Sequence, residues 1–216
     1  MLTIEEYRAN PCGRLSIPYY KAKTFTAPSG WKVIHHRDFH PESWPGWEDR
    51  PYFRLFHSLR PVPVCPLPAG YRLEQAEEAD SAAIAALISL CYGFAMEEEK
   101  VRAWRQHPEF RPELWVKLSR EDGMLAGAAT AEYDPETGEG SLEWVQVHPE
   151  CRRQGLGAVL VAALLGRLAR MADFATVSGE VDNPAMQEAL YRRCGFTGED
   201  VWHILGKSGE KVPEEI

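Results

Sequence analysis

No stretch of this 216-residue chain approaches the ~18 consecutive apolar residues that a membrane-spanning helix needs. The opening residues, MLTIEEYRANPCG, lack the basic start and apolar core of a secretory signal. Together these absences set the expectation of a cytoplasmic protein that does not engage a membrane. Paired cysteines are missing as well. The five present, Cys12, Cys65, Cys91, Cys151 and Cys194, are odd in number and scattered, and none belongs to a C-x-x-C pair. Neither a disulfide framework nor a zinc knuckle is therefore suggested, and the thiols read as reduced. Positive charge is also short, with 24 Lys and Arg against 32 Asp and Glu and a formal net charge of -8. Binding nucleic acid requires a basic surface to neutralise phosphates, so nucleic acid is not the expected partner. The acidic balance mildly favours cationic ones.

What is present suits a globular protein with one main domain and an appendage: 44% of residues are apolar and 26% charged. Residues 61–68, PVPVCPLP, hold four prolines in eight positions, which excludes helix and reads as a stiff connector. The boundary is placed there, dividing an aromatic and proline-rich N-terminal extension (1–65) from the main domain (66–216). The extension carries Tyr19, Tyr20, Trp31, Trp44, Trp47, Tyr52 and Phe53. Its expected role is a cover over one face of the core sheet, with a wall of the substrate pocket or a homodimer contact as alternatives. If those rings reach such a pocket, they would suit a cationic amine. HHRDFH in the same region raises the question of a metal. Strand alternation puts His35 and His36 on opposite faces, so no metal site is expected.

From Tyr71 onward the elements are readable. YRLEQAE alternates like a strand, and Asp80 is placed to cap a helix whose Ile84, Leu87, Ile88 and Cys91 share one face. A more polar helix follows over Met96 to Gln106. ELWVKLSR, MLAGAATAEY and GSLEWVQV read as an antiparallel meander. Gly155 to Met171 has apolar residues at helical spacing, FATVSGEV reads as a buried strand, AMQEALYRRCGF as a short helix ended by Gly195, and VWHILG as a last strand. A meander combined with crossover helices implies an α/β (α+β layered) fold with a mixed central sheet flanked by helices.

The most informative stretch is VHPECRRQGLGAVL, running from Val147 to Leu160. At a strand-to-helix junction the first-turn N–H groups lack intrahelical partners and the helix dipole is positive, a ready anion site. Gly155 and Gly157 let a ligand approach the backbone, and Arg152 and Arg153 add charge. Two phosphate motifs are excluded: no Lys-Ser or Lys-Thr follows the glycines, and Leu160 stands where a dinucleotide fingerprint needs its third glycine. The alternative is an ordinary helix start with small residues packed against a sheet.

R-x-x-G-x-G, as Arg152, Gly155 and Gly157, preceded by VQVHP and followed by an apolar helix, resembles motif A of the GCN5-related N-acetyltransferase (GNAT) superfamily. DNPAMQEALYRRCGF resembles that family's later segment ending in Gly-Phe. The resemblance covers about Tyr71 to Gly206. It implies a GNAT-like acyl-CoA N-acyltransferase fold, with acetyl-CoA as cosubstrate. Its pyrophosphate would meet backbone N–H groups from Arg153 through Gln154, Gly155, Leu156 and Gly157 to Ala158. Its pantetheine arm would lie along Val145, Gln146 and Val147 like an added strand. Asn183 would meet that arm and Tyr191 would stand near the thioester sulfur. Asn183 and Tyr191 are eight positions apart, one more than the family's usual spacing.

Acetyl transfer to an amine needs the neutral amine, which costs about 4.6 kcal/mol at pH 7 for a group of pKa ~10.4. General-base help of ~10²- to 10⁴-fold closes most of that gap. Glu143 is the first candidate base, with Glu132 and His148 in reserve, and Tyr191 the candidate acid that reprotonates the thiolate. The resemblance also places a backbone N–H near Val145 against the developing oxyanion. Cys194 reads as packing rather than as a nucleophile. The expected function is acetyl-CoA-dependent N-acetylation of a small-molecule amine. A non-catalytic CoA-binding module and a peptide or protein N-acetyltransferase are the alternatives.

Overall fold

The computed structural model describes residues 3–16, 30–181, 183 and 187–207. Along the chain, the first part comprises α1 (Ile4–Ala9), β1 (Lys32–His35), β2 (Trp47–His57), β3 (Tyr71–Gln75), α2 (Ser81–Tyr92) and α3 (Glu98–Trp104). The second part comprises β4 (Trp115–Arg120), β5 (Leu125–Asp134), β6 (Glu139–Val147), α4 (Leu156–Leu168), β7 (Phe174–Glu180), α5 (Gln187–Arg193) and β8 (Thr197–Lys207). From Tyr71 on, the order of elements is the one read from the sequence. Contacts group the residues into two compact units: His57–Val177 with Ala189–Phe196, and Met1–Phe56 with Ser178–Glu188 and Thr197–Ile216. β7 contributes residues to both.

In the larger unit the strand order is β3-β4-β5-β6-β7, antiparallel except for the parallel pair β6 and β7. Helices therefore bury both faces of this part of the sheet. On one face α2 inserts Ile84 and Ile88, both fully buried, and Leu87, each side chain contributing about 1.5–3 kcal/mol. Gly93, in the left-handed conformation, ends that helix. On the other face α4 buries Leu156, Leu160, Leu164, Leu165 and Leu168. Small residues make room for it: a Cβ on Gly127 would lie 3.1 Å from Leu160 Cδ1, and one on Gly140 would collide with Leu168. MLAGAATAEY is thus a strand whose small residues let a leucine-rich helix lie close.

In the smaller unit the order is β1-β8-β2-β7, with β8 antiparallel to both β1 and β2. Sequence reading assigned no elements to residues 1–60 beyond a strand-like stretch at the histidines. The structure has a capped helix there, with Thr3 and Glu6 forming a capping box, and an 11-residue strand through Pro51. That strand has no period-2 alternation to read, since Phe53, Arg54 and Leu55 are buried in succession. Buried Arg54 ties this unit together, donating to Pro11 O (3.0 Å), Tyr7 Oη (3.2 Å) and Ser178 Oγ (3.3 Å). Trp202 Nε1 donates to Cys12 O at 3.1 Å.

Two details differ from expectation. The polar helix is shorter, spanning Glu98–Trp104 rather than Met96 to Gln106. Asp80 precedes α2 but does not cap it through its side chain. Its carboxylate instead accepts from Glu77 N (2.8 Å) and pairs with Lys117 Nζ on β4 (2.7 Å). Ala185 and Met186, read as the start of the last helix, lie outside the described residues, as do Tyr19 and Tyr20.

Candidate active site

β6 is the strand on which the candidate residues converge, and its local irregularity exposes them. Its pairing with β5 shifts register between Ala129 and Ala131, opposite Glu143 and Trp144. The bulge is held by Trp144 N donating to Thr130 Oγ1 at 3.3 Å. Parallel pairing with β7 stops at Leu142↔Val177. Val145, Gln146 and Val147 therefore lie beyond the last residue paired on that side. The carbonyls of Val145 and Val147 accept from side chains: Tyr92 Oη at 3.3 Å on Val145, and Cys91 Sγ at 3.4 Å and Arg152 Nε at 3.2 Å on Val147. An extended ligand docking there as an added strand would replace these side chains as partners of the two carbonyls.

After β6, a short turn stapled by Cys151 N to His148 O (2.8 Å) leads into α4. His148 Nδ1 accepts from Glu150 N at 3.3 Å, a structural task inside this turn. Arg153 has φ 62° and Gly155 φ 82°, so two of three consecutive residues are left-handed and the backbone curls on itself. Such curls aim successive N–H groups into one concavity. A Cβ on Gly155 would meet nothing within 4 Å, so the concavity is open at that point. Arg152, Arg153, Gln154 and Gly155 are exposed, whereas Leu156 is buried and pins the helix to the core. Gly157 has a second reason to be glycine, because a Cβ there would stand 3.1 Å from Leu190 Cδ2 of α5. The Gln154 side chain is engaged, its Oε1 accepting from Tyr71 Oη at 2.9 Å. Ala158 N and Gly155 O form the first helical turn at 3.0 Å. An open nest of N–H groups, two arginines and a strand edge with backbone acceptors fit the pyrophosphate and amide-bearing arm of CoA.

Tyr191 on α5 is 3% exposed and packs edge-on against Phe196, centroids 5.8 Å apart. Burial drives its hydroxyl far above the usual tyrosine range, and the Tyr92 hydroxyl and Glu143 carboxylate add to the effect. The structure thus brings Tyr92 and Glu143 each within electrostatic reach of Tyr191. Glu143 is exposed, and its Oε1 accepts from Ser141 Oγ at 2.6 Å. Glu132, on β5, is half-buried and lies 3.3 Å from His107 Nδ1. Burial pushes the Cys194 thiol up to about 11, consistent with packing and not nucleophilic work. Asn183 belongs to the smaller unit and is half-buried there.

Sequence reading missed an aromatic cluster beside these groups. Trp144 stacks on Trp104 (5.4 Å, 15°) and meets Tyr92 (5.4 Å) and Phe94 (6.2 Å) edge-on. Aromatic content near residues 92–104 was the available signal, but nothing in the sequence showed that a bulge would turn Trp144 toward α2 and α3. The described N-terminal rings of the smaller unit include buried and mutually packed ones. Trp31 and Phe53 are buried, and Trp44 packs edge-on against Trp47 at 5.3 Å. The alternation argument separating His35 from His36 does not apply, because β1 ends at His35. Potential ligand atoms of His35, His36 and Asp200 lie within 4.8 Å of one another. His35 Nε2 is hydrogen-bonded to Asp200 Oδ1 at 2.8 Å, and His36 Nδ1 accepts from Val201 N at 3.1 Å.

No curated protein matches the chain. Solved structures do. A GCN5-related N-acetyltransferase from Sphaerobacter thermophilus is 17% identical, with a TM-score of 0.66 over 92% of this chain and 68% of that one. One from Kribbella flavida is 20% identical, with a TM-score of 0.58 over 96% and 77%. The ribosomal-protein-S18-alanine N-acetyltransferase from Escherichia coli is 22% identical, with a TM-score of 0.51 over 66% and 99%. At these identities the likeness is one of fold. The acetyltransferase (GNAT) family model matches residues 81–196, a span from α2 to Phe196 that includes the β6–α4 junction, Glu143 and Tyr191. With more than half of the chain matched, including that junction, this protein belongs to the acetyltransferase (GNAT) family, whose members are N-acetyltransferases using acetyl-CoA.

Proposed function

We propose that the protein moves the acetyl group of acetyl-CoA to the primary amine of a small-molecule acceptor by direct attack of the amine on the thioester. The observation that carries this reading is the β6–α4 junction. Its left-handed Arg153 and Gly155 form an open anion nest next to the stretch of β6 that lies beyond its last pairing with β7. Arg152, Arg153 and the N–H groups through Gly157 would hold the pyrophosphate, Ala158 N being engaged by Gly155 O, and Val145 and Val147 the pantetheine arm. When bound, acetyl-CoA supplies the acyl group in activated form.

The remaining work falls to residues of the same unit. The amine nitrogen forms its C–N bond as the C–S bond breaks, one amine proton is lost, and the leaving sulfur gains one. Glu143 takes the amine proton, directly or through water. Tyr191, kept protonated by burial, donates a hydrogen bond to the sulfur as charge develops there, and the departed thiolate then takes its proton from solvent.

The test is a thermal-unfolding titration with acetyl-CoA, CoA, ATP and NAD, followed by an amine panel read as CoA release. A ligand at ~100 times its Kd adds about 2.7 kcal/mol, or a midpoint rise of about 5–10 °C at this size. The expected result is a shift with acetyl-CoA and CoA alone, and turnover of amines in preference to an alanine-terminated peptide. No shift with either CoA species, or a preference for the peptide, would overturn the reading.

A further inference from the structure

Gln146 is 3% exposed, yet neither Oε1 nor Nε2 has a hydrogen-bond partner among the described residues. A buried amide with both ends unmet is costly and calls for a partner from outside the chain, such as a bound water or a ligand. Gln146 sits opposite Ala128, which belongs to the core cluster under α2 and α3 against which Trp144 also packs. Gln146 and Trp144, two residues apart beyond the bulge, therefore share that face of β6, while Val147 contacts the α4 side at Gly157. On this face Tyr92, Phe94, Trp104 and Trp144 are half-buried rings in mutual contact. The same patch is joined to the chemistry. Tyr92 Oη is on Val145 O, and Glu143 precedes Trp144 directly.

Building on the acetyltransferase reading, we propose that this face is the acceptor pocket and that the acceptor is a primary amine tethered to a flat ring bearing a hydroxyl or carbonyl group. The rings hold the acceptor's ring by stacking and edge contacts, and the Gln146 amide meets the ring's polar substituent. The rings bind the body of the acceptor and not its ammonium. A cation held against aromatic faces would be stabilised in the protonated form that cannot attack a thioester. An apolar wall disfavours charge and helps the amine toward neutrality.

The experiment compares kcat/KM for 4-hydroxyphenethylamine, phenethylamine, hexylamine and spermidine, with the acetyl-CoA Kd measured separately. The expected order places both ring amines at least about tenfold above hexylamine, and the hydroxylated ring above the bare one. Trp144→Leu is expected to erase the ring preference and Trp144→Phe to restore most of it, both with unchanged acetyl-CoA Kd. Gln146→Leu is expected to remove only the advantage of the hydroxyl. Spermidine or hexylamine at the top of the order would overturn the proposal, as would a ring preference insensitive to Trp144→Leu. A weaker acetyl-CoA Kd in Gln146→Leu would give the amide to the cosubstrate and overturn its place in the acceptor pocket. Turnover of other amines with intact acetyl-CoA binding would sink this proposal alone. Absence of acetyl-CoA binding would sink the acetyltransferase reading with it.

Discussion

Tyr191 shows how much one position in LYRRCGF reveals and what it hides. Its place before Gly195 and Phe196 was readable. Its near-complete burial was not, because the groups that act on it include Tyr92 and Glu143, which come from distant parts of the chain. A buried, permanently protonated phenol serves as a hydrogen-bond donor, so Tyr191→Phe is expected to lower kcat by roughly 10²-fold and leave the acetyl-CoA Kd unchanged, as steady-state and binding measurements would show. His57 provides a pH readout of folding. Its Nδ1 accepts from Leu59 N at 2.8 Å, and burial lowers its pKa in the folded state. The unfolded chain titrates near ~6.5. Below about pH 6.5 the unfolded state therefore takes up a proton that the folded one resists, and stability present above that pH is lost as pH falls toward the folded pKa. Burial shifts His35 the same way, against the opposing bond from Asp200. The unfolding midpoint is expected to fall from pH 7 to 5, and more shallowly in His57→Gln.

The informative element is the start of α4. Its glycines were legible as a motif, but the structure divides their duties. Gly155 serves the backbone, with a left-handed φ and open space beside it. An alanine there pays about 1–2 kcal/mol of left-handed strain, and Gly155→Ala is expected to lower the unfolding midpoint and weaken acetyl-CoA binding together. Gly157 serves packing: a Cβ presses on Leu190, the neighbour of Tyr191. Gly157→Ala is accordingly expected to reduce kcat more than acetyl-CoA affinity, a split that kinetics and calorimetry can separate. Elements with a clean period were legible, as α2, the β4–β6 meander and α4 show. β2 was not, because it runs through Pro51 and carries no regular alternation, and its pairing with β8 is what marks it as a strand.

At the scale of the whole molecule, a net charge of -8 attracts cations at long range. The KM for a cationic amine is expected to rise between 20 and 300 mM salt, values chosen to span a Debye length from roughly 20 Å to 6 Å, while an uncharged acceptor analogue stays level. A fragment beginning at residue 66 keeps β8 but loses β1 and β2, its two antiparallel partners, and is expected to aggregate through that bare strand, as light scattering would report. Among the described residues no helix is long and apolar enough to cross a membrane. The sequence by itself determined the layered α/β class, the order of elements from Tyr71 and the anion nest at RRQGLGA, because local periodicity and glycine placement depend on neighbours in the chain. Tertiary structure alone decided the partners of β8, the burial of Tyr191 and the gathering of Trp144, Tyr92, Trp104 and Gln146. Those depend on a bulge opposite Thr130 and on helices packing from distant segments, which no local pattern encodes.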